Sequence, residues 1–202
     1  MNTKEKILAS SLELFSVNGY KSVSVRDIAS KTGIKASSLY NHFENKQDIF
    51  NQLVCKGVNY TKEFLDMIHY ECIDHFKKIM DLKSFHDNFV KINMNTIKLV
   101  LNNNTIIKLR KLLIIEQFNN PDLSDLFQKI FVTDVLKSES EIFNILIKNN
   151  LLRKSDPEFL ALQFYSPIFL ILYNNKETLD EHDYNKIEKH IFQFKDTYGM
   201  KG

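Results

Sequence analysis

Glycine, proline and cysteine are scarce in this chain of 202 residues, which has 5 Gly, 3 Pro, 2 Cys and no Trp. An all-β sandwich needs turn residues about every 8–12 positions, so this architecture is excluded. A nucleotide-binding enzyme of the Rossmann or P-loop type needs a glycine-rich phosphate loop, and none is present. Two cysteines do not form a disulfide framework. Long helices remain, and we expect an all-α fold.

Long apolar segments are also absent, since no run approaches the roughly 20 residues that a membrane span requires. The first residues, MNTKEKILASSLELF, carry charges where a signal peptide would be apolar. Hydrophobic residues make up 44% and charged residues 26%, with a net charge of +2. This composition is typical of a folded protein. We therefore expect a cytoplasmic protein with no membrane partner.

Apolar residues recur with helical spacing along the whole chain, and the pattern predicts nine or ten helices and no strand. Thr3 is expected to cap the first helix and Gly19 to end it, while Ser24 is expected to cap the second. The later predicted helices are Ile34–Phe43, one that starts at Lys46, Phe85–Leu101, Thr105–Gln117, Asp122–Asn149, Pro157–Asn174 and Tyr184–Tyr198.

Residues 3–43 read as a helix followed by two short helices joined at Gly33, which is a helix-turn-helix arrangement. Ala29 is small where the two short helices cross, and Ile34 and Leu39 are expected to face inward. Residues 20–46 contain five basic and two acidic residues, whereas residues 51–202 contain equal numbers of both. The local net charge of +3 therefore lies where DNA would bind.

The segment SVSVRDIASKTGIKASSLYNHFENKQDIF closely resembles the signature of the TetR/AcrR family of bacterial transcription regulators. The resemblance covers about the first 55 residues. It implies a DNA-binding domain at residues 1–46 and a helical ligand-binding and dimerisation domain at residues 47–202. It also implies that the last two long helices pair with their copies in a homodimer, which would read a palindromic operator.

The resemblance further assigns individual residues to double-stranded DNA. Ser24, Tyr40, His42 and Lys46 would contact backbone phosphates, and Arg26, Lys35, Ala36 and Ser37 would approach base edges. The family often has Lys and Gly where this chain has Ala36 and Ser37, so no base preference is transferred.

A small-molecule site is expected among the aromatic residues of the second region, because helical bundles place ligands between helices. Polar residues within apolar stretches are the strongest indicators, since their burial is costly without a partner. The candidate ligand-binding residues are Phe89, Asn93, Glu116, Gln117, Phe131 and Gln163. Glu116 either faces a cavity, where it would favour a cationic ligand, or pairs with Arg110 or Lys111 at the surface. The surface alternative is preferred.

The sequence thus predicts a repressor that binds an operator and is released by a small, largely apolar effector. The alternative is a helical adaptor or a small-molecule-binding protein without DNA activity. No nucleophile–base pair or paired carboxylates with metal spacing indicate an enzyme, and no cofactor is expected. His69, Cys72 and His75 follow a loose helical spacing but lack a fourth ligand, so we interpret them as ordinary helix residues and expect no metal.

Overall fold

The computed structural model describes residues 2–79, 81–173 and 179–201, and these are almost entirely helical. Its helices are α1 (Thr3–Ser22), α2 (Val25–Thr32), α3 (Ala36–Leu39), α4 (Lys46–Lys77), α5 (Leu82–Leu101), α6 (Asn104–Glu116), α7 (Pro121–Gln128), α8 (Asp134–Lys148), α9 (Pro157–Tyr173) and α10 (Glu181–Tyr198). A π-helical turn, Lys129–Thr133, joins α7 to α8. The predicted end of the helix that begins at Pro157, Asn174, falls outside the described residues. No helix within the described ranges is long and apolar enough to cross a membrane.

Several helix ends follow the predicted capping chemistry, and others differ from it. The prediction that Thr3 caps α1 is wrong, because Asn2 accepts the Glu5 N–H at 2.9 Å and forms a capping box with Glu5. Asn is at least as good an N-cap as Thr. Asn120 caps α7 directly before Pro121, as the sequence favours.

Contacts divide the chain into two compact units. Unit 1 comprises residues 1–64 and 103–129, and unit 2 comprises residues 65–102 and 130–202. These units are contact clusters, and the predicted division into functional domains at residues 1–46 and 47–202 stays a prediction.

Unit 1 is built around α1, which packs against both α2 and α6. Its core includes a cluster of three aromatic rings, Phe15, Tyr20 and Phe50, with centroids 4.7–5.7 Å apart. Ile7 and Leu109 are fully buried in the same unit. This core fixes the position of the segment between α1 and α2.

Unit 2 has a core of phenylalanines contributed by five helices. Phe76, Phe89, Phe143, Phe164 and Phe194 are all buried, and their ring contacts have centroid distances of 5.0–6.4 Å. Such ring pairs add to the stability that burial of apolar area already provides. The aromatic richness of this region therefore serves mainly a packed core.

Candidate nucleic-acid interface

The second helix starts with the capping residue that the sequence predicts. Ser24 Oγ accepts the Asp27 N–H at 3.2 Å, and Asp27 Oδ2 accepts the Ser24 N–H at 2.7 Å. The Ser24 hydroxyl also donates to Asp27 Oδ2 at 2.7 Å. Hydrogen bonds from the Ser24 side chain and backbone hold the pKa of Asp27 below its usual value. The start of α2 is thus fixed by a reciprocal pair of bonds.

The turn between α2 and α3 depends on Gly33, which adopts a left-handed conformation (φ 74°, ψ 33°). Its N–H donates to the Ser30 carbonyl at 3.1 Å, and the Ile34 N–H donates to the Ala29 carbonyl at 3.0 Å. Such bonds satisfy the last carbonyls of a helix. Ala29 is buried at the crossing, as predicted.

The third helix is shorter than the predicted Ile34–Phe43, because α3 spans only Ala36–Leu39. Lys35 is extended and provides no side-chain cap, and residues 40–42 form turns. The segment also contains Ser37, Ser38 and Asn41, whose side chains favour caps and turns over helix interiors. Leu39 and Phe43 are nonetheless buried and anchor the segment.

The residues predicted to bind DNA lie mainly on the outside of this helix-turn-helix. Ser24, Arg26, Lys35, Ser37, Tyr40 and His42 are exposed, whereas Ala36 and Lys46 are half-buried. Tyr40 is 58% exposed even though it is a large aromatic residue between two buried ones. Its ring is therefore available to a partner and is not required by the core.

Lys46 has a structural role that the sequence did not indicate. Its Nζ donates to the carbonyls of Tyr20 at 2.9 Å and Val23 at 2.8 Å, and it lies 4.2 Å from the centre of the Tyr20 ring. Lys46 therefore holds residues 20–23, the end of α1 after Gly19 together with Val23, which lead into α2 and which we call the linker. A lysine ammonium has three donors, so one remains for a phosphate.

Glu116 holds the same linker from α6. The chain departs from helical geometry at Gly19 (φ 74°, ψ 163°), and the next N–H, that of Tyr20, donates to Glu116 Oε1 at 2.7 Å. A Cβ at Gly19 would lie 3.2 Å from this oxygen. We call Tyr20, Lys46 and Glu116 the Tyr20 clamp.

The preferred prediction that Glu116 pairs with Arg110 or Lys111 at the surface is wrong. Glu116 is only 7% exposed, and among the described residues its carboxylate accepts a hydrogen bond from the backbone N–H of Tyr20. A buried carboxylate needs such a donor because burial without one is costly.

The six candidate ligand residues are divided between the two units. Glu116 and Gln117 belong to unit 1, and the other four belong to unit 2. Phe89 and Phe131 are buried. The Asn93 amide donates to the Phe89 carbonyl at 2.8 Å, the Gln117 amide donates to the Ile114 carbonyl at 3.1 Å, and Gln163 Oε1 accepts the Tyr198 hydroxyl. Each of these polar groups thus has an internal partner, and their role in ligand binding stays a prediction.

The three residues considered for a metal have separate partners. His69 Nε2 lies 3.0 Å from Glu141 Oε2, Cys72 Sγ lies 3.1 Å from Thr96 Oγ1, and His75 Nδ1 lies 2.8 Å from the Glu71 carbonyl oxygen. The described ranges contain no group of three or more His, Cys, Asp or Glu residues that could hold a metal ion.

Comparisons with known proteins agree with the helix-turn-helix. Residues 7–53 match the family of bacterial regulatory proteins described as the tetR family. The chain is 39% identical over 62 residues to IcaR of Staphylococcus epidermidis, the HTH-type negative transcriptional regulator of the biofilm operon icaADBC. This alignment covers 31% of the chain and 34% of IcaR. The chain thus matches about a third of the length of this curated relative.

Solved structures extend the likeness in fold to nearly the whole chain. A TetR-family regulator described from Mesorhizobium loti has a TM-score of 0.69 and 18% identity, and the match covers 98% of this chain and 97% of that one. The ketosteroid transcriptional regulator KstR2 of Mycobacterium tuberculosis has a TM-score of 0.64 and 14% identity, with 99% and 96% covered. The TM-scores show a shared fold, and at these low identities the likeness extends to the fold alone.

The family match covers residues 7–53, and the helix-turn-helix of this region is similar to that of the tetR family of bacterial regulatory proteins. Over the rest of the chain, the likeness to solved structures is one of fold.

Proposed function

We propose that this protein is a ligand-responsive repressor that binds a palindromic DNA operator as a homodimer and is released by a small, largely apolar effector. The observation that carries the proposal is the exposure of the polar residues of the helix-turn-helix, namely Arg26 on α2 and Lys35, Tyr40 and His42 on either side of α3 in the chain. IcaR, which shares this region, is named as a negative regulator. Because its proposed target is DNA, we expect the protein to act in the cytoplasm.

The residues proposed to bind DNA divide into two roles. Arg26 and Lys35 supply donors for base edges, while Ala36 and Ser37 are short enough for the backbone to approach the groove closely. Ser24, Tyr40, His42 and Lys46 contact phosphates and fix the position of the helix-turn-helix on the duplex. Lys31 contributes less charge to this face, because its ammonium is paired with Glu13 at 2.7 Å.

The exposed apolar face of α9 supports the homodimer. Phe159, Leu162, Leu170 and Tyr173 are spaced on one side of the helix and are 55%, 47%, 68% and 36% exposed. The opposite side packs into the core through Leu160, Ala161, Phe164 and Ile168. A helix that is apolar on both sides is normally buried on both sides. In our proposal, α9 and α10 of one protomer pair with those of its partner, and Phe192 of α10 extends the contact.

The regulatory mechanism is a two-state equilibrium. An effector releases DNA only to the extent that it binds the non-binding state more tightly than the operator-binding state. The Tyr20 clamp provides a physical element for this coupling, since it ties the linker before α2 to α4 and α6. A shift of α6 that breaks the Glu116 bond would free the linker and change the position of α2.

The proposal is tested by selecting DNA from a pool of random duplexes with the full chain. We expect an enriched palindrome from the native protein and none from the Arg26→Ala/Lys35→Ala variant. A matched control, Lys62→Ala/Lys77→Ala, removes the same number of charges from α4 and should enrich the same palindrome. A folded dimer that enriches no sequence at low salt, with or without cell extract, would contradict the proposal and favour a helical adaptor.

A further inference from the structure

Unit 1 contains a cavity of about 290 Å³ between α1, α4 and α6. Leu8, Leu12 and Leu53 form its buried apolar wall. Ala9, Lys56, Tyr60 and Asn104 also line the cavity and are exposed, so it opens to solvent. None of the six candidate ligand residues lines it. It is therefore a different place from the one that the sequence suggested for a ligand.

The shape of the cavity depends on a glycine in the middle of α4. A Cβ at Gly57 would lie 3.1 Å from Leu109 Cδ1, so a side chain there would press against α6. On the rim, the Asn103 amide donates to the Tyr60 hydroxyl at 2.8 Å and connects the start of α6 to α4. The volume is close to the lower limit of about 300 Å³ for ligand pockets, which favours a compact ligand.

The charge of the lining is entirely positive. Lys56 and Lys108 border the cavity, and no acidic residue lines it. Among the described residues, neither lysine ammonium has a hydrogen bond or an ion pair. The charge of Lys108 does act on one carboxylate, that of Glu13. The Glu13 carboxylate already accepts a hydrogen bond from Lys31, which is the main cause of its lowered pKa, and the charge of Lys108 lowers this pKa further.

The first turn of α6 adds to the positive potential. Asn104 and Thr105 line the cavity at the N-terminal end of this helix of 13 residues, where the helix dipole favours negative charge. The cavity thus combines an apolar wall with two unpaired ammonium groups and a positive helix end on its rim.

We propose that this cavity binds a small organic anion, a carboxylate with a short hydrocarbon tail. The tail packs against Leu8, Leu12 and Leu53, and the carboxylate accepts hydrogen bonds from Lys56 and Lys108. Charge complementarity selects this occupant, because a cationic ligand would meet two ammonium groups and a neutral one would leave them without partners.

A ligand in this cavity could change the DNA affinity of the proposed regulator through the Tyr20 clamp. The same three helices, α1, α4 and α6, carry Tyr20, Lys46 and Glu116, so a ligand between them acts on the elements that hold the Tyr20 clamp. This regulatory role rests on the proposed function, whereas binding of the anion does not.

The binding test uses NMR titration of the isotope-labelled full chain with three probes: octanoate, octan-1-ol and octylamine. We expect octanoate to shift the amides of Ala9, Gly57 and Thr105 in a saturable way, and to bind about tenfold or more tightly than octylamine. No saturable shift with octanoate, shifts confined to unit 2, or equal binding of octylamine would overturn the proposal.

A variant pair separates charge from shape. Lys56→Gln/Lys108→Gln should weaken octanoate binding about tenfold and leave octan-1-ol binding unchanged, while the control Lys62→Gln/Lys77→Gln should leave both unchanged. Equal octanoate affinity in the two double variants would contradict the assigned role of Lys56 and Lys108. Ala9→Phe, which fills the cavity from its exposed edge, should abolish binding of both probes.

The outcomes distinguish this proposal from the proposed function. If the chain binds octanoate in this cavity but selects no DNA, the anion site is supported and the proposed repressor function is refuted. A chain that selects a palindrome but does not bind octanoate refutes the site alone. If both hold, saturating octanoate should change the affinity for the selected duplex, and an unchanged affinity would refute the regulatory role.

Discussion

The Tyr20 clamp predicts a specific cost for replacing Glu116. Glu116→Ala removes the acceptor of the Tyr20 N–H, which is 2.7 Å from Glu116 Oε1 in a partly buried position. A hydrogen bond to a charged group contributes about 1.5–3 kcal/mol net, and the free N–H adds a desolvation cost. We expect the free energy of unfolding to fall by about 2–3 kcal/mol.

Glu116→Gln serves as the graded comparison, because its amide oxygen can still accept the Tyr20 N–H. A neutral hydrogen bond contributes about 1 kcal/mol, so this variant should lose roughly half as much stability as Glu116→Ala. Urea unfolding followed by circular dichroism at one protein concentration measures both changes, since the stability of a dimer depends on concentration.

Glu63→Ala is the matched control, as Glu63 is exposed on α4, outside the proposed dimer contact. The unfolding free energy of this variant should stay within about 0.5 kcal/mol of the native value, which is usual for surface substitutions. If Glu116→Ala were no more destabilising than Glu63→Ala, the clamp would not contribute to stability and the role assigned to Glu116 would be refuted.

Three further predictions concern the turn, the DNA contacts and pH. Gly33→Ala should cost about 1–2 kcal/mol in urea unfolding because of the left-handed backbone, while Gly33→Asn should cost less; equal costs would contradict this. Tyr40→Phe should weaken binding to all duplexes alike, whereas Lys35→Ala should change the selected sequence, and an unchanged sequence would refute the base contact. Burial raises the pKa of Glu139, which is half-buried on α8, to about 7, so stability should fall as pH rises from about 4.5 to 7. Glu139→Gln should remove this pH dependence of the urea midpoint. If the pH dependence persists in the variant, it does not come from Glu139.

Local chemistry explains why much of the helix-turn-helix could be predicted from the sequence. Ser24 and Asp27 form their capping box within four residues, and Gly33 ends α2 through bonds to Ala29 and Ser30. Such motifs depend on neighbours in sequence, so they can be recognised without a structure. The buried positions of Leu39 and Phe43 follow from helical spacing in the same way.

The Tyr20 clamp could not be predicted, because its partners are distant in sequence. Glu116 and Tyr20 are 96 positions apart, and Lys46 is 26 positions from Tyr20. The only signal was an acidic residue directly after the apolar run Leu112–Ile115, which indicates burial but not a partner. The cavity lined by Lys56 and Lys108 was missed for the same reason, since it brings three separate helices together.

The extent of α3 was predicted incorrectly because two signals compete there. The spacing of Ile34, Leu39 and Phe43 favours a helix, but the serines and Asn41 favour turns, and the turns begin at Tyr40. Hydrophobic periodicity identifies which residues face inward more reliably than it identifies where a short helix ends.

The most direct test of the central claim is the affinity of the full chain for the selected palindrome and for a scrambled duplex of equal composition. Fluorescence anisotropy at one physiological salt concentration provides both values. We expect the palindrome to bind about a thousandfold or more tightly than the scrambled duplex, with two protomers on each duplex. Equal affinity for the two duplexes would contradict the claim that this helix-turn-helix reads a DNA sequence.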